Sequence, residues 1–277
     1  MNKRPMTRVN LDKAISRLAK NDPRLTVDIR MSMANAIVGQ FIPEGVVKGG
    51  TSLKFRYGAA HARYTMDLDT AWRTDLDTFL RELKAALASG WEGFSGEVVV
   101  LPQASPSGIP FDYVMQPCDV KLSYMGRSWR TVRLEVGHNE VGDADEAESM
   151  PVPQDLKVIF EALCFPVPTE LPLMRLPFQV AQKLHGATGN NSKRAHDIID
   201  LQLIFGNSLD LDLAEVRSAC VRLFAYRKGQ AWPPEVRKGD DWDAVYANKK
   251  QGLDVLPTVD GAVAWANDLI ARIDAAR

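Results

Sequence analysis

Apolar residues recur at helical spacing over Leu11–Leu18 and over Asp28–Phe41, and Asn21-Asp22-Pro23 breaks the pattern between them. Val46-Val47-Lys48 reads as a short strand that runs into a glycine turn and then a helix. Ala62–Asp69 reads as a second strand. Thr74–Gly90 reads as a helix capped by Thr74, with Phe79, Leu80, Leu83, Ala86 and Leu87 as its apolar stripe. Glu97–Leu101, Asp119–Tyr124 and Trp129–Val136 read as strands, the last two joined by a turn at Met125-Gly126-Arg127. Residues 137–153 are acidic and loop-like, and prolines from Pro151 to Pro177 punctuate the approach to the next helix. From Phe178 onward the pattern is helical, broken at Thr188–Lys193, Gly206–Ser208 and Gln230–Asp241.

Strands mixed with helices first and helices afterwards predict an α/β (α+β) fold. We expect a mixed sheet with flanking helices over residues 1–150 and a mainly helical domain over residues 151–277.

Composition narrows the function classes. Of the 277 residues, 45% are hydrophobic and 25% charged, which is ordinary for a globular chain. The net charge of −1 carries no global basic field of the kind that gathers nucleic acid. Cys118, Cys164 and Cys220 are sparse, odd in number and without metal-ligand spacing, which fits a reducing compartment. No apolar run follows the basic start, and none reaches membrane-spanning length. The expectation is a cytoplasmic protein with no membrane partner.

The chemistry concentrates in Lys48-Gly49-Gly50-Thr51-Ser52-Leu53 and in Arg63-Tyr64-Thr65-Met66-Asp67-Leu68-Asp69. Two acids two apart on a strand leave the same face. Carboxylates that close repel unless a cation lies between them, and few hard oxygen donors suit Mg²⁺. Gly49 and Gly50 let backbone N–H groups approach a phosphate, and Thr51 and Ser52 add hydroxyls. The same Asp-x-Asp spelling at Asp75/Asp77 and at Asp210/Asp212 opens helical patterns, where acids serve the helix dipole. His61, His138, His185 and His196 lack ligand spacing, and the Trp and Tyr residues near the C-terminus suit core packing better than base stacking.

These residues resemble the first motif of the AbiEii/AbiGii-type toxins, nucleotidyltransferase-like proteins related to the DNA polymerase beta superfamily. Phe178-Gln179-Val180-Ala181-Gln182-Lys183-Leu184 and Arg194-Ala195-His196-Asp197-Ile198-Ile199-Asp200 resemble its second signature, and Tyr226–Tyr246 its C-terminal end. The resemblance implies that Asp67 and Asp69 hold Mg²⁺, that Thr65 lines the same site, and that Lys183 contacts an NTP triphosphate. It makes Asp197 a further catalytic acid acting on the acceptor. His196 intervenes before Asp197, so Asp200 can share that role, and Glu135 is the candidate for the superfamily's third carboxylate. An inward Lys183 would need an anionic partner. The resemblance also implies an acceptor such as the 3′ end of tRNA and a growth-inhibiting toxin neutralised by a cognate antitoxin protein. Two other readings are a small-molecule, antibiotic-type nucleotidyltransferase, which near-neutral charge favours, and a non-catalytic nucleotide-binding protein.

Overall fold

A computed structural model describes residues 3–104 and 114–277. Two compact units share the chain. The first comprises residues up to Gly58, Thr65–Asn139 and Ala147–Leu173; the second comprises Ala59–Tyr64, Glu140–Glu146 and Met174–Arg277. The division expected at 150/151 therefore falls elsewhere. Residues 147–173, which their prolines mark as a connecting stretch, supply two strands and a helix to the first unit.

That unit is built on helices α1 (Arg8–Leu18), α2 (Pro23–Gly39), α3 (Gly49–Tyr57), α4 (Leu76–Ser89) and α5 (Gln154–Ala162). Its strands are β1 (Gly45–Lys48), β2 (Leu68–Trp72), β3 (Phe94–Val100), β4 (Gln116–Tyr124), β5 (Arg127–Gly137), β6 (Ala147–Met150) and β7 (Leu171–Met174). They form one mixed sheet in the order β3-β4-β5-β2-β1-β7-β6. β1 runs antiparallel to β2, and β2 runs parallel to β5. β4 shows the alternation expected of a strand with one buried face: Cys118, Val120, Leu122 and Tyr124 point inward. Met125 and Gly126 both take positive φ, as a two-residue hairpin turn requires. The core gathers around Phe94, whose ring meets Tyr124, Trp129 and Phe165 at centroid distances of 4.6–5.4 Å.

Several boundaries differ from expectation for local reasons. α2 begins at Pro23, not Asp28, because Asp22 caps it by accepting from the N–H groups of Arg24 and Leu25. β2 begins at Leu68, six residues after the expected start, since only from there does the chain find partners in β1 and β5. Asp75, not Thr74, caps α4.

The second unit holds α6 (Leu176–Ala187), α7 (Ala195–Asn207), α8 (Leu213–Arg227), α9 (Trp242–Lys249) and α10 (Val259–Ala275), with a 3-10 turn at Ala59–His61. The breaks between these helices fall where Gly, Asn and Pro cluster. Trp242 and Tyr246 are buried, and their polar ends are satisfied by Ser192 O at 2.6 Å and Leu256 O at 2.8 Å. These two rings pack the core, as expected. The acidic segment is not free either: Arg227 binds Glu140, and Gln182 donates to Asp143 at 2.6 Å. Among the described residues no helix is long and apolar enough to cross a membrane.

Asp75 and Asp212 act as caps, each accepting from first-turn N–H groups. Asp212→Ala should cost about 1 kcal/mol in urea unfolding, and Asp75→Ala should lower the melting temperature. Both should retain full activity, which a nucleotidyl-transfer assay checks.

Candidate functional site

At the β1–α3 junction the chain turns from strand to helix in one residue. Lys48 is extended and Gly49 has φ +68°, a conformation that side chains disfavour. A second constraint acts on the same position. A Cβ on Gly49 would stand 2.1 Å from Asp69 Oδ2, so the carboxylate lies against bare backbone. The side chain of Lys48, the residue before α3, does not cap the helix, and the positive dipole end of α3 lies beside that acid. Gly50, Thr51 and Ser52 are buried in this turn. Thr51 Oγ1 donates to Asp67 O at 2.6 Å, so its hydroxyl fixes the backbone of residue 67.

Asp69 is half-buried on β2, whereas Asp67 is exposed and stands one residue before the strand. Strand alternation therefore does not set their relative direction. The Thr51 bond and the short span between them fix Asp67 instead. Thr65 is half-buried in the irregular stretch before it. Glu135 is the register partner of Asp69 across the parallel β2–β5 pair, and Lys48 is its partner across the antiparallel β1–β2 pair. Register partners share a face, so Lys48, Asp69 and Glu135 form one row across three strands about 4.8 Å apart.

Among the described residues no group of three or more His, Cys, Asp or Glu gathers as a cage. Two carboxylates on adjoining strands suit a small, hard cation that keeps part of its shell for water and phosphate oxygens, as Mg²⁺ does. The donor chemistry thus fits the group implied by the sequence.

The second unit contains a buried charge cluster. Lys183 on α6 is 5% exposed, and Asp197 and Asp200, one turn apart on α7, are fully buried. Lys183 Nζ donates to Asp200 Oδ2 at 2.5 Å and to Asp197 Oδ1 at 3.4 Å, which supplies the anionic partner that an inward lysine needs. Arg63 Nε reaches both Asp200 oxygens at 2.9 and 3.0 Å, and Arg194 Nε reaches Asp197 Oδ2 at 2.5 Å. Gly186 makes the room: a Cβ there would stand 2.6 Å from Asp197 Oδ2. Burial alone would raise the Asp197 carboxyl, but Lys183 and Arg194 outweigh it and hold it below the usual carboxylate range. Asp197 is thus a poor proton acceptor as arranged here. Burial lowers His196 and His185 to about 4, so both are neutral at pH 7.

Arg63 and Arg194 stand in the sequence motifs without a task given to either, and Gly186 is a residue that the motifs did not mark. Charged residues flanking a motif carry no sign of which acid they will bind.

The family described as "Nucleotidyl transferase AbiEii toxin, Type IV TA system" matches residues 34–266. Among solved structures the chain is similar to MenT4, a nucleotidyltransferase toxin from Mycobacterium tuberculosis H37Rv, at 16% identity and TM-score 0.52, covering 95% of this chain and 97% of that one. It is also similar to JHP933 from Helicobacter pylori, at 14% identity and TM-score 0.44, covering 89% and 90% of the two chains. No curated protein matches the chain.

Two outcomes follow from this geometry. Gly49→Ala should destabilise the protein by about 1–3 kcal/mol in urea unfolding, through the disfavoured φ and the clash with Asp69. The unfolded chain protonates histidine near 6.5 while the folded chain resists until about 4, so the stability that neutral His185 and His196 support is complete above pH 6.5 and declines as pH falls toward 4. Urea midpoints taken from pH 7.5 to 4.5 should fall, and less steeply in His196→Asn; a flat wild-type profile would contradict the assignment.

Proposed function

We propose a reaction for this chain, which belongs to the AbiEii family of nucleotidyltransferase toxins of type IV toxin–antitoxin systems: it moves a nucleoside monophosphate from an NTP to a hydroxyl of RNA, with the 3′ end of tRNA as acceptor. The acceptor oxygen forms a bond to the α-phosphorus, the bond from that phosphorus to the bridging oxygen breaks, and pyrophosphate leaves. The observation that carries the reading is the Asp69 carboxylate lying against Gly49 at the start of α3, with Glu135 beside it in register.

Asp67 and Asp69 are the residues that would hold Mg²⁺, which supplies charge neutralisation on the phosphates and a lowered pKa for the acceptor hydroxyl. The Gly49-Gly50 turn offers backbone N–H donors to phosphate oxygens, with Thr51, Ser52 and Thr65 shaping the turn around them. Glu135 is the carboxylate that can receive the hydroxyl proton. Lys183 is assigned to the triphosphate on the family resemblance. The physical support is that Lys183, an ammonium, is held beside Asp197 and Asp200 together with the guanidinium groups of Arg63 and Arg194, a cluster rich in cations. Asp197 and Asp200 orient the ammonium, and the depressed Asp197 carboxyl fits that task better than proton removal. The family implies an antitoxin as partner, and NTPs, Mg²⁺ and tRNA meet in the cytoplasm, where we set the reaction.

The test is incubation with each labelled NTP, Mg²⁺ and total RNA. We expect label in tRNA for the wild type and at least 10²-fold less for Asp69→Ala and Asp67→Ala. Label in a small molecule instead would favour the antibiotic-type reading, to which the net charge of −1 is better suited. Absence of label from every fraction would leave a nucleotide-binding protein.

A further inference from the structure

In the second unit the loop from α6 to α7 and the loop from α8 to α9 line an open cavity of about 500 Å³, within the ~300–1,000 Å³ range of ordinary ligand sites. Its walls are pinned. Ser192 Oγ donates to Gly186 O at 2.7 Å, Trp242 Nε1 to Ser192 O at 2.6 Å, and Gln230 Nε2 to His185 O at 3.0 Å. Asn190 and Asn191 also line it and are exposed, and among the described residues their side-chain amides make no hydrogen bond. Three glycines share the lining. A Cβ on Gly239 would stand 2.7 Å from Ser192 O, so that position needs glycine for packing. At Gly189 and Gly229 a Cβ would meet nothing closer than 3.7 and 3.9 Å, and neither has positive φ. Neither backbone nor neighbour demands glycine there, and a glycine without such a demand weakens the fold through the entropy of the unfolded chain. The bare backbone at 189 and 229 serves the space beside it. Cations surround that space: Arg237 and Lys238 line it, and Lys193 and Lys228, each next to a lining residue, make no ion pair among the described residues. Glu235 holds Arg237 at 2.8 Å, but both side chains are exposed, and such pairs are weak enough to yield to a phosphate. Lys238 binds Asp243 and Asp260 at a similarly exposed place.

We infer that this cavity seats an unpaired nucleotide of the RNA acceptor, its base edge on the amides of Asn190 and Asn191 and its phosphates among Lys193, Lys228, Arg237 and Lys238. This rests on the reading above, in which RNA supplies the attacking hydroxyl. An asparagine amide offers donors and an acceptor side by side, which matches a base edge that only an unpaired nucleotide leaves free. Ala231 and Pro234 supply an apolar wall for the base face. The same wall continues into the charge cluster of this unit: Arg194 N donates to Ser192 Oγ at 3.1 Å, and the Arg194 side chain holds Asp197. A strand bound here lies beside the cluster that contains Lys183. Local cations suffice for it, so the net charge of −1 is no obstacle.

The experiment follows the fluorescence anisotropy of a labelled unpaired RNA of about eight nucleotides, and of the same RNA paired to its complement, on the full-length protein. The variants are Gly189→Val, Gly229→Val, Asn190→Ala/Asn191→Gly and Lys193→Gln/Lys228→Gln; glycine at 191 keeps the left-handed backbone of φ +52° while removing the amide. We expect wild type to bind the unpaired RNA about tenfold tighter than the duplex. Each valine variant and the amide variant should lose about tenfold in affinity, the loss of one good base contact. The amide variant should also lose any preference among homopolymeric oligonucleotides. The lysine variant should lower the slope of log Kd against log salt by about 0.7 per lysine. Melting temperatures of the valine variants should not fall, and KM for NTP should stay within about twofold of wild type in all variants. Wild-type RNA affinity in the valine and amide variants, or equal affinity for the duplex, overturns the inference and leaves the reaction reading standing. Affinity losses that track a falling melting temperature in every variant overturn it too. Binding that follows the expectation while wild type moves no label from NTP to RNA keeps the cavity assignment and overturns the reaction reading instead.

Discussion

Burying charge is the constraint from which the rest of this structure follows. Each unit removes ionic side chains from water by pairing them, Lys54 with Asp28 in the first and Lys183 with Asp200 in the second, and each clears backbone beside charged groups. In the first unit Asp69 lies against Gly49 and Lys48 over Gly137; in the second Asp197 and Arg194 crowd Gly186. At all three positions a methyl group would strike a charged atom. Glycine is used here for the bulk it lacks, and only at Gly49 for its backbone freedom as well.

The sheet order turns this local constraint into a site. β2 lies between an antiparallel neighbour and a parallel one, so a single row draws on three segments far apart in sequence. β1 ends where α3 begins, which sets the positive end of a helix beside the middle carboxylate of that row. Shifting β2 by one residue would turn Asp69 to the opposite face and bring a neighbouring apolar or neutral side chain into the row. The buried Leu68, Thr70 and Ala71 make that slip expensive, so ordinary packing fixes the register on which the chemistry relies.

What the sequence made legible was mostly local. Helix breaks at Thr188–Lys193, Gly206–Ser208 and Gln230–Asp241 followed from their residues, as did the strand–glycine–helix passage at Val46–Leu53. The apolar stripe of α4 did too. The misses are non-local. β6 and β7 are four residues each and exist because a sheet edge accepts them. β2 was placed early because Ala62–Asp69 has strand composition, while pairing starts only at Leu68. For the candidate site, the motif acids were visible but their counter-ions were not. Which acid a basic side chain will bind is a tertiary fact, and Arg63 binds Asp200 across 137 positions of sequence.

The three Asp-x-Asp pairs show why spelling alone under-determines chemistry. Asp75 and Asp212 spend their carboxylates on helix N–H groups, so those acids serve the backbone. Asp69 instead lies against the glycine that opens a helix, with a second carboxylate in register. Asp197 presents the opposite case, a motif acid already saturated by cations and held ionised. An acid in that state cannot readily take a proton, but it can hold an ammonium at a fixed place and in a fixed charge state. The same residue type thus caps, opposes a cation or orients one, and the local balance of donors and charges decides which.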